Sequence, residues 1–392
     1  MKEGWRWYGP HDPVPLAHIR QAGATDVVTA LHDIYDGRVW PEDRIRARQE
    51  EIAEAGLTWS VVESIPVPQA IKTRDAGADD AIERFIETMR NVAACGIEVI
   101  CYNFMPVVDW TRTDLRYPAP NGGLALRFDP VEFAAYDLCV LQRAGAVSDY
   151  SAEVIAQAEA AHQAMSPGDI ETLENTIIAG LPGAEGHHTR EGIRGLIAEY
   201  DGMDDADLRA ALIAFQSRIM PVADALGLRM AIHPDDPPWS IFGLPRVVSQ
   251  MSDYEALFAA NPSLANGVTF CTGSLGARAD NDLAAMLAAM APRVHFAHLR
   301  NVKRATDGSF FEADHLDGST DMVEIVDLLM QEQRKRRADG RSDDTIPMRP
   351  DHGHLLLDDL TKETLPGYSA IGRLKGLAEL RGIMRTLERV HG

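Results

Sequence analysis

Along most of this chain, short runs of β-branched and aromatic residues alternate with longer stretches whose apolar positions recur every three or four residues. The short runs predict strands at residues 5–9, 26–31, 58–63, 98–104, 229–233, 267–271, 293–298 and 345–349. The longer stretches predict helices at 14–22, 41–55, 79–94, 207–226, 253–260, 282–291, 322–337 and 370–390. Punctuation agrees with these assignments. Pro41 opens a helical stretch and Gly56 follows it, while Gly23 and Gly96 stop two others. Pro221, inside the 207–226 stretch, predicts a kink. Strands that each lead into a helix are the signature of an α/β protein, and this count predicts a closed (β/α)8 TIM barrel.

The rhythm breaks after the fourth strand. Residues 105–127 are rich in Pro, Gly and Asn and read as loop; 130–144, 151–164, 167–179 and 189–199 read as helices, with a loop at 180–188. This stretch holds few aromatic residues for a core of its own. The expectation is one barrel domain over 1–392, carrying a helical insertion or cap at 105–206 on the side where the strands end.

Charge narrows the function. With 38 basic against 59 acidic residues the net charge is −21, which disfavours nucleic-acid binding and requires a local cluster of cations for any anionic substrate. Four cysteines without a CxxC pair form no disulfide framework and predict reduced thiols in a cytoplasmic protein. The N-terminal residues lack a signal-peptide core, and no apolar run is long enough to span a membrane. A homodimer is the base-rate expectation for assembly.

Candidate chemistry concentrates in the second half. His233, Cys271, His298 and Asp351 each close or directly follow a predicted strand. Their separations are far wider than those of a zinc finger, but they match the length of successive strand–helix units, whose ends converge on one face of a barrel. Singly, each has a bland reading: a buried thiol, a core histidine, a turn aspartate. As a set on four consecutive strand ends, they form a nitrogen, sulfur and oxygen sphere suited to a divalent first-row ion rather than Ca²⁺ or Mg²⁺. The acids of Pro234-Asp235-Asp236-Pro237 would orient the histidine. His352, beside Asp351, is placed for acid or base work, since imidazole titrates near neutrality. Tyr368 could donate a proton or merely pack. Arg6, Arg300 and Arg349 at the same rim suggest an anion to hold, or salt bridges to nearby acids. Trp7 and Tyr8 could line a sugar pocket or belong to the core.

Several stretches together carry a resemblance. Trp5-Arg6-Trp7-Tyr8-Gly9, His233-Pro234-Asp235-Asp236-Pro237-Pro238, Gly243-Leu244-Pro245-Arg246, Phe270-Cys271-Thr272-Gly273-Ser274, Arg300-Asn301 after His298, and Arg349-Pro350-Asp351-His352-Gly353 resemble the mannonate dehydratase family, the metal-dependent type with a xylose-isomerase-like barrel. The resemblance runs essentially end to end, with no departure at the metal positions. It implies dehydration of D-mannonate, an aldonate, to 2-dehydro-3-deoxy-D-gluconate in hexuronate breakdown. It implies one Mn²⁺ or Fe²⁺ ion on His233, Cys271, His298 and Asp351, and acid/base roles for His352 and Tyr368. Arg6, Trp7, Tyr8, Arg300, Asn301 and Arg349 are the candidate substrate contacts.

Two rival functions share the fold. A divalent-metal sugar isomerase or epimerase would more usually surround its ion with carboxylates, whereas Cys271 is a thiol. A non-catalytic sugar-acid binding protein would have no need of the metal quartet together with His352.

Overall fold

The computed structural model describes residues 1–179 and 189–391. Twelve strands are found among them: β1 (Lys2–Arg6), β2 (Asp26–Thr29), β3 (Thr58–Glu63), β4 (Val99–Tyr102), β5 (Asp114–Pro118), β6 (Leu124–Phe128), β7 (Arg229–Ile232), β8 (Asn266–Cys271), β9 (Val294–His298), β10 (Asn301–Arg304), β11 (Phe310–Ala313) and β12 (Pro347–Arg349). Eight of them close a parallel barrel in the order β1-β12-β9-β8-β7-β4-β3-β2. Helices between successive barrel strands pack outside it, among them Glu42–Glu54, Ala78–Ala94, Asp205–Leu226 and Met322–Ala338, and Ala370–His391 follows the last strand. This is the (β/α)8 barrel the alternation predicts. Pro221 lies within the single helix Asp205–Leu226.

Side-chain alternation sorts the barrel strands into two sets. Val28, Val61, Val99, Cys101, Ala231 and Phe296 form a closed apolar cluster distinct from the outer core. Their strand neighbours Val27, Val62, Ile100, Ile232 and Ala297 belong instead to the large cluster beneath the helices. Two residues beyond a lumen-facing position, the same phase returns to the interior. Glu63 follows Val61, His233 follows Ala231, and His298 follows Phe296 in this way. The period-2 pleat therefore lifts polar side chains onto an apolar plug at the C-terminal ends of the strands, where barrels of this kind build their sites.

The structure corrects the sequence reading in two places. The first strand lies at Lys2–Arg6 rather than 5–9, so Trp7 and Tyr8 stand just past its end. Residues 105–127 are not simply loop, because they contain β5 and β6. The 105–206 stretch is thus not wholly helical. These two strands join β10 and β11 in a second, antiparallel sheet of order β10-β11-β6-β5, with Phe128 opposite Phe310. The predicted loop at 180–188 falls outside the described residues.

Candidate active site

One ring nitrogen each of His233 and His298 and the Cys271 thiol form a group of metal-capable atoms, all within 4.8 Å of one another. Each sits where a strand ends, so no flexible linker intervenes between scaffold and ligand atom. His233 Nδ1 lies 2.7 Å from the Pro234 carbonyl, which assigns the proton to that nitrogen and leaves Nε2 with a lone pair facing His298 Nδ1 at 3.1 Å. Burial lowers the pKa of His233. The sulfur of Cys271 is approached by the Ser274 amide at 3.4 Å and the Ser274 hydroxyl at 3.2 Å. Asp351 stands at the margin of this group. Its Oδ2 is 3.7 Å from Cys271 Sγ, while its Oδ1 accepts from Arg349. Asp351 adopts a left-handed backbone (φ 64°), which directs the chain sharply away immediately after β12.

A ring of buried ion pairs surrounds these atoms. Arg349 donates to Glu63 (2.8 Å) and to Asp351, and its Nε lies 3.0 Å from His298 Nε2. Arg6 pairs with Glu63 at 3.1 Å. Arg300 donates to Asp236 and to Glu312 (3.2 Å), and Arg112 bridges the same two acids at 2.7 and 2.9 Å. Burial alone would raise the carboxyl of Glu63, but Arg349 and Arg6 outweigh it and hold it well below the usual range. Against the same burial, His352, Arg300 and Arg112 bring Glu312 down to about 2. Asp351 is likewise held well below its ordinary value by Arg349, His352 and Arg300, in spite of its burial. Gly273 makes room for this ring, since a Cβ there would come within 2.0 Å of Arg300 Nε.

The acid/base candidates meet at the edge of the ring. His352 Nδ1 lies 2.8 Å from Glu312 Oε2, and His352 Nε2 lies 3.2 Å from the Tyr368 hydroxyl. Arg300 Nη1, a donor only, also lies 2.9 Å from this Nδ1, but both Glu312 oxygens lie within 2.9 Å of it and a carboxylate only accepts; with the proton on Nδ1 directed at Glu312, Nε2 accepts from the phenol. Gly353 N donates to Gly367 O at 2.9 Å, which ties the two loops together. Burial raises the pKa of Tyr368 over the opposing effect of Arg349, so the phenol stays protonated at neutral pH. Tyr8 packs edge-on against Tyr368 at 4.9 Å, and the Arg6 guanidinium lies 4.9 Å from the Tyr8 ring centre.

Not every sequence candidate reaches this mouth. Trp7 is buried under the helix Glu42–Glu54, with Arg48 of that helix 5.3 Å from its ring. The amide of Asn301 gives both protons to the His315 and Thr320 carbonyls and accepts from the Val302 and Thr320 amides, so its side chain is spent on the 315–320 turn. The acids after His233 do not orient it. Asp235 accepts from the Val248 amide and the Ser249 hydroxyl, and Asp236 belongs to the arginine ring. Sequence reasoning passed over Glu63, Arg112 and Glu312. The phase of Glu63 within its strand was a usable signal, whereas Arg112 and Glu312 arrive through the second sheet and its approach, which local patterning did not reveal.

A family model described as D-mannonate dehydratase (UxuA) matches residues 1–392. The chain is 54% identical over 389 residues to "Mannonate dehydratase 2" of Agrobacterium fabrum (strain C58), covering 99% of this chain and 98% of that one. It is 51% identical over 389 residues to "Mannonate dehydratase" of Saccharophagus degradans (strain 2-40), with the same coverage. Among solved structures, mannonate dehydratase from Streptococcus suis serotype 2 superposes with a TM-score of 0.79 at 33% identity, covering 100% of this chain and 96% of that one.

Proposed function

Because this chain belongs to the D-mannonate dehydratase family, we propose that its barrel mouth removes water from D-mannonate to give 2-dehydro-3-deoxy-D-gluconate, with His352 as base and Tyr368 as acid. The observation that carries this reading is the continuous Glu312–His352–Tyr368 chain beside the metal-capable group. An imidazole backed by a carboxylate can take a proton at Nε2 while its developing charge is stabilised at Nδ1. A phenol held protonated by burial can give one.

The donor set fits a divalent first-row ion, with His233, Cys271 and His298 as its holders and Asp351 at the margin. Charge bookkeeping supports this. Arg6, Arg112, Arg300 and Arg349 face Glu63, Asp236, Glu312 and Asp351. A divalent cation arriving with the Cys271 thiolate and one substrate carboxylate preserves that balance. Mn²⁺ or Fe²⁺ would serve as the Lewis acid that stabilises negative charge on the substrate carboxylate as the C2 proton leaves.

His352 Nε2 takes the C2 proton, and the electron pair released forms the C2–C3 double bond. The C3–O bond breaks, and the departing oxygen collects the Tyr368 proton to leave as water. The enol at C2 becomes the ketone as C3 gains the proton that His352 took from C2, while the C2 hydroxyl releases its own proton to solvent. The phenolate then recovers a proton from solvent, and the balance is loss of one water.

The test is incubation of the purified protein with D-mannonate and its epimers in Mn²⁺, reading 2-keto-3-deoxy acid. Product from D-mannonate is expected. His352→Asn should lower kcat by about 10²–10⁴ with bound metal unchanged. A ketose or epimer as product, or near-normal turnover in His352→Asn, rejects the respective assignment.

A further inference from the structure

His32 stands at the mouth of the barrel just beyond β2, and nothing in the mechanism uses it. Both of its ring nitrogens are shielded from solvent and meet no hydrogen-bond partner among the described residues. An imidazole with neither nitrogen satisfied is costly, and native interiors rarely leave such groups without a reason. Its surroundings are polar and aromatic. The ring centre lies 5.2 Å from that of Tyr8 and 6.4 Å from that of Tyr35, whose hydroxyl is 3.4 Å from Ser64 Oγ. Tyr8 in turn touches Tyr368, so the rings step from the acid/base pair toward the β2 and β3 rim, away from Cys271 and Asp351.

We propose that His32 binds the hydroxyl tail of the aldonate, the end remote from its carboxylate, and so sets the length and configuration of chain the enzyme accepts. This rests on the dehydratase reading and extends it to a subsite. Burial, with Arg6 and Arg48 nearby, holds the His32 ring well below its ordinary pKa, so it is neutral. A neutral imidazole offers one donor and one acceptor. A carboxylate could satisfy only the donor, whereas hydroxyl groups satisfy both nitrogens. The carboxylate end of the substrate is thereby left to the cationic side of the mouth, and its polyol end falls to His32 and Tyr8.

The experiment compares wild type with His32→Ala and His32→Gln in the metal-loaded enzyme. For His32→Ala, KM for D-mannonate should rise about tenfold, with kcat changed far less. The inhibition constant of a four-carbon aldonate with the same C2 and C3 configuration should stay unchanged, since it lacks the tail. His32→Gln keeps a donor and an acceptor and should recover part of the loss, which also guards against misfolding of the alanine variant. Calorimetric titration of a hexonate gives a readout independent of turnover. Equal shifts for long and short acids, or no shift in either, overturn the proposal. Hexonate binding by wild type without keto-acid product would sink the dehydratase reading while leaving the binding ratio to judge His32.

Discussion

Glu312 Oε2 lies 2.8 Å from Nδ1 of His352, although Glu312 sits on β11, a strand of the sheet outside the barrel. The second sheet therefore supplies the charge behind the proposed base. Replacing the carboxylate by an amide keeps the hydrogen bond but removes the charge that would stabilise an imidazolium. Glu312→Gln is expected to lower kcat by roughly 10²-fold, within the range for acid/base groups, with KM nearly constant and a shifted pH profile for kcat/KM. A structural role alone would lower active-enzyme concentration and leave that profile in place.

Removal of the ion tests a different part of the site. Chelation should abolish turnover, and Mn²⁺ or Fe²⁺ should restore it. An ion that binds only the folded protein also stabilises it, so at 100-fold excess over Kd the loaded protein gains about 2.7 kcal/mol. The melting temperature should fall on chelation and recover on addition of metal. Cys271→Ala should bind the ion weakly and show little of this recovery. Full activity in a protein shown by elemental analysis to hold no metal would remove the ion from the reaction.

The barrel and the convergence of its metal-capable atoms are legible because both rest on local signals. Period-2 runs ending in His233, Cys271 or His298 put strand, phase and chemistry within a few residues of each other. What stayed hidden depends on long-range pairing. Leu124–Phe128 alternates moderately, and it becomes a strand through pairing with β5 on one side and with the distant Phe310 and Phe311 of β11 on the other. Glu312 reads as a surface acid until that sheet brings it beside Arg112 and Arg300. Asn301, adjacent to a ring member, turns its amide toward 315–320 because β10 begins there, an orientation that its neighbours in sequence do not reveal. Trp7 lies outside the mouth for a simpler reason, a strand that ends at Arg6.

Arg112 offers a test of the ring itself. It is fully buried, comes from the approach to β5, and is the cation that joins Asp236 to Glu312 on that side. Arg112→Leu keeps much of the volume but leaves two buried carboxylates short of a partner. Removing one member of a buried pair typically costs about 3–5 kcal/mol. Chemical denaturation should show a loss of that size. Arg112→Leu combined with Glu312→Gln should recover part of it, because one uncompensated charge disappears. A double variant no more stable than Arg112→Leu would mean that the arginine acts by packing, over the ring of Trp110, which it approaches to 4.6 Å.

The same ring dictates how stability responds to acid. Glu63, Asp236, Glu312 and Asp351 all have folded pKa values below their ordinary ones. Each therefore contributes stability that is fully present above the unfolded pKa and is lost as pH falls toward the folded one. For Glu312 that window runs from 4.5 down to about 2. Buried histidines add an earlier loss. Burial lowers His295 from 6.5 to about 3, so the unfolded chain binds its proton first and the folded state loses ground below pH 6.5. Asp235 runs the other way, since burial raises its carboxyl and acidification relieves that cost, but it stands against four depressed carboxyls. Melting temperature should decline gently below about pH 6.5 and steeply below about pH 4.5. Glu312→Gln should flatten only the second phase, and a melting temperature that rises between pH 6 and pH 4 would contradict the charge assignments of the ring.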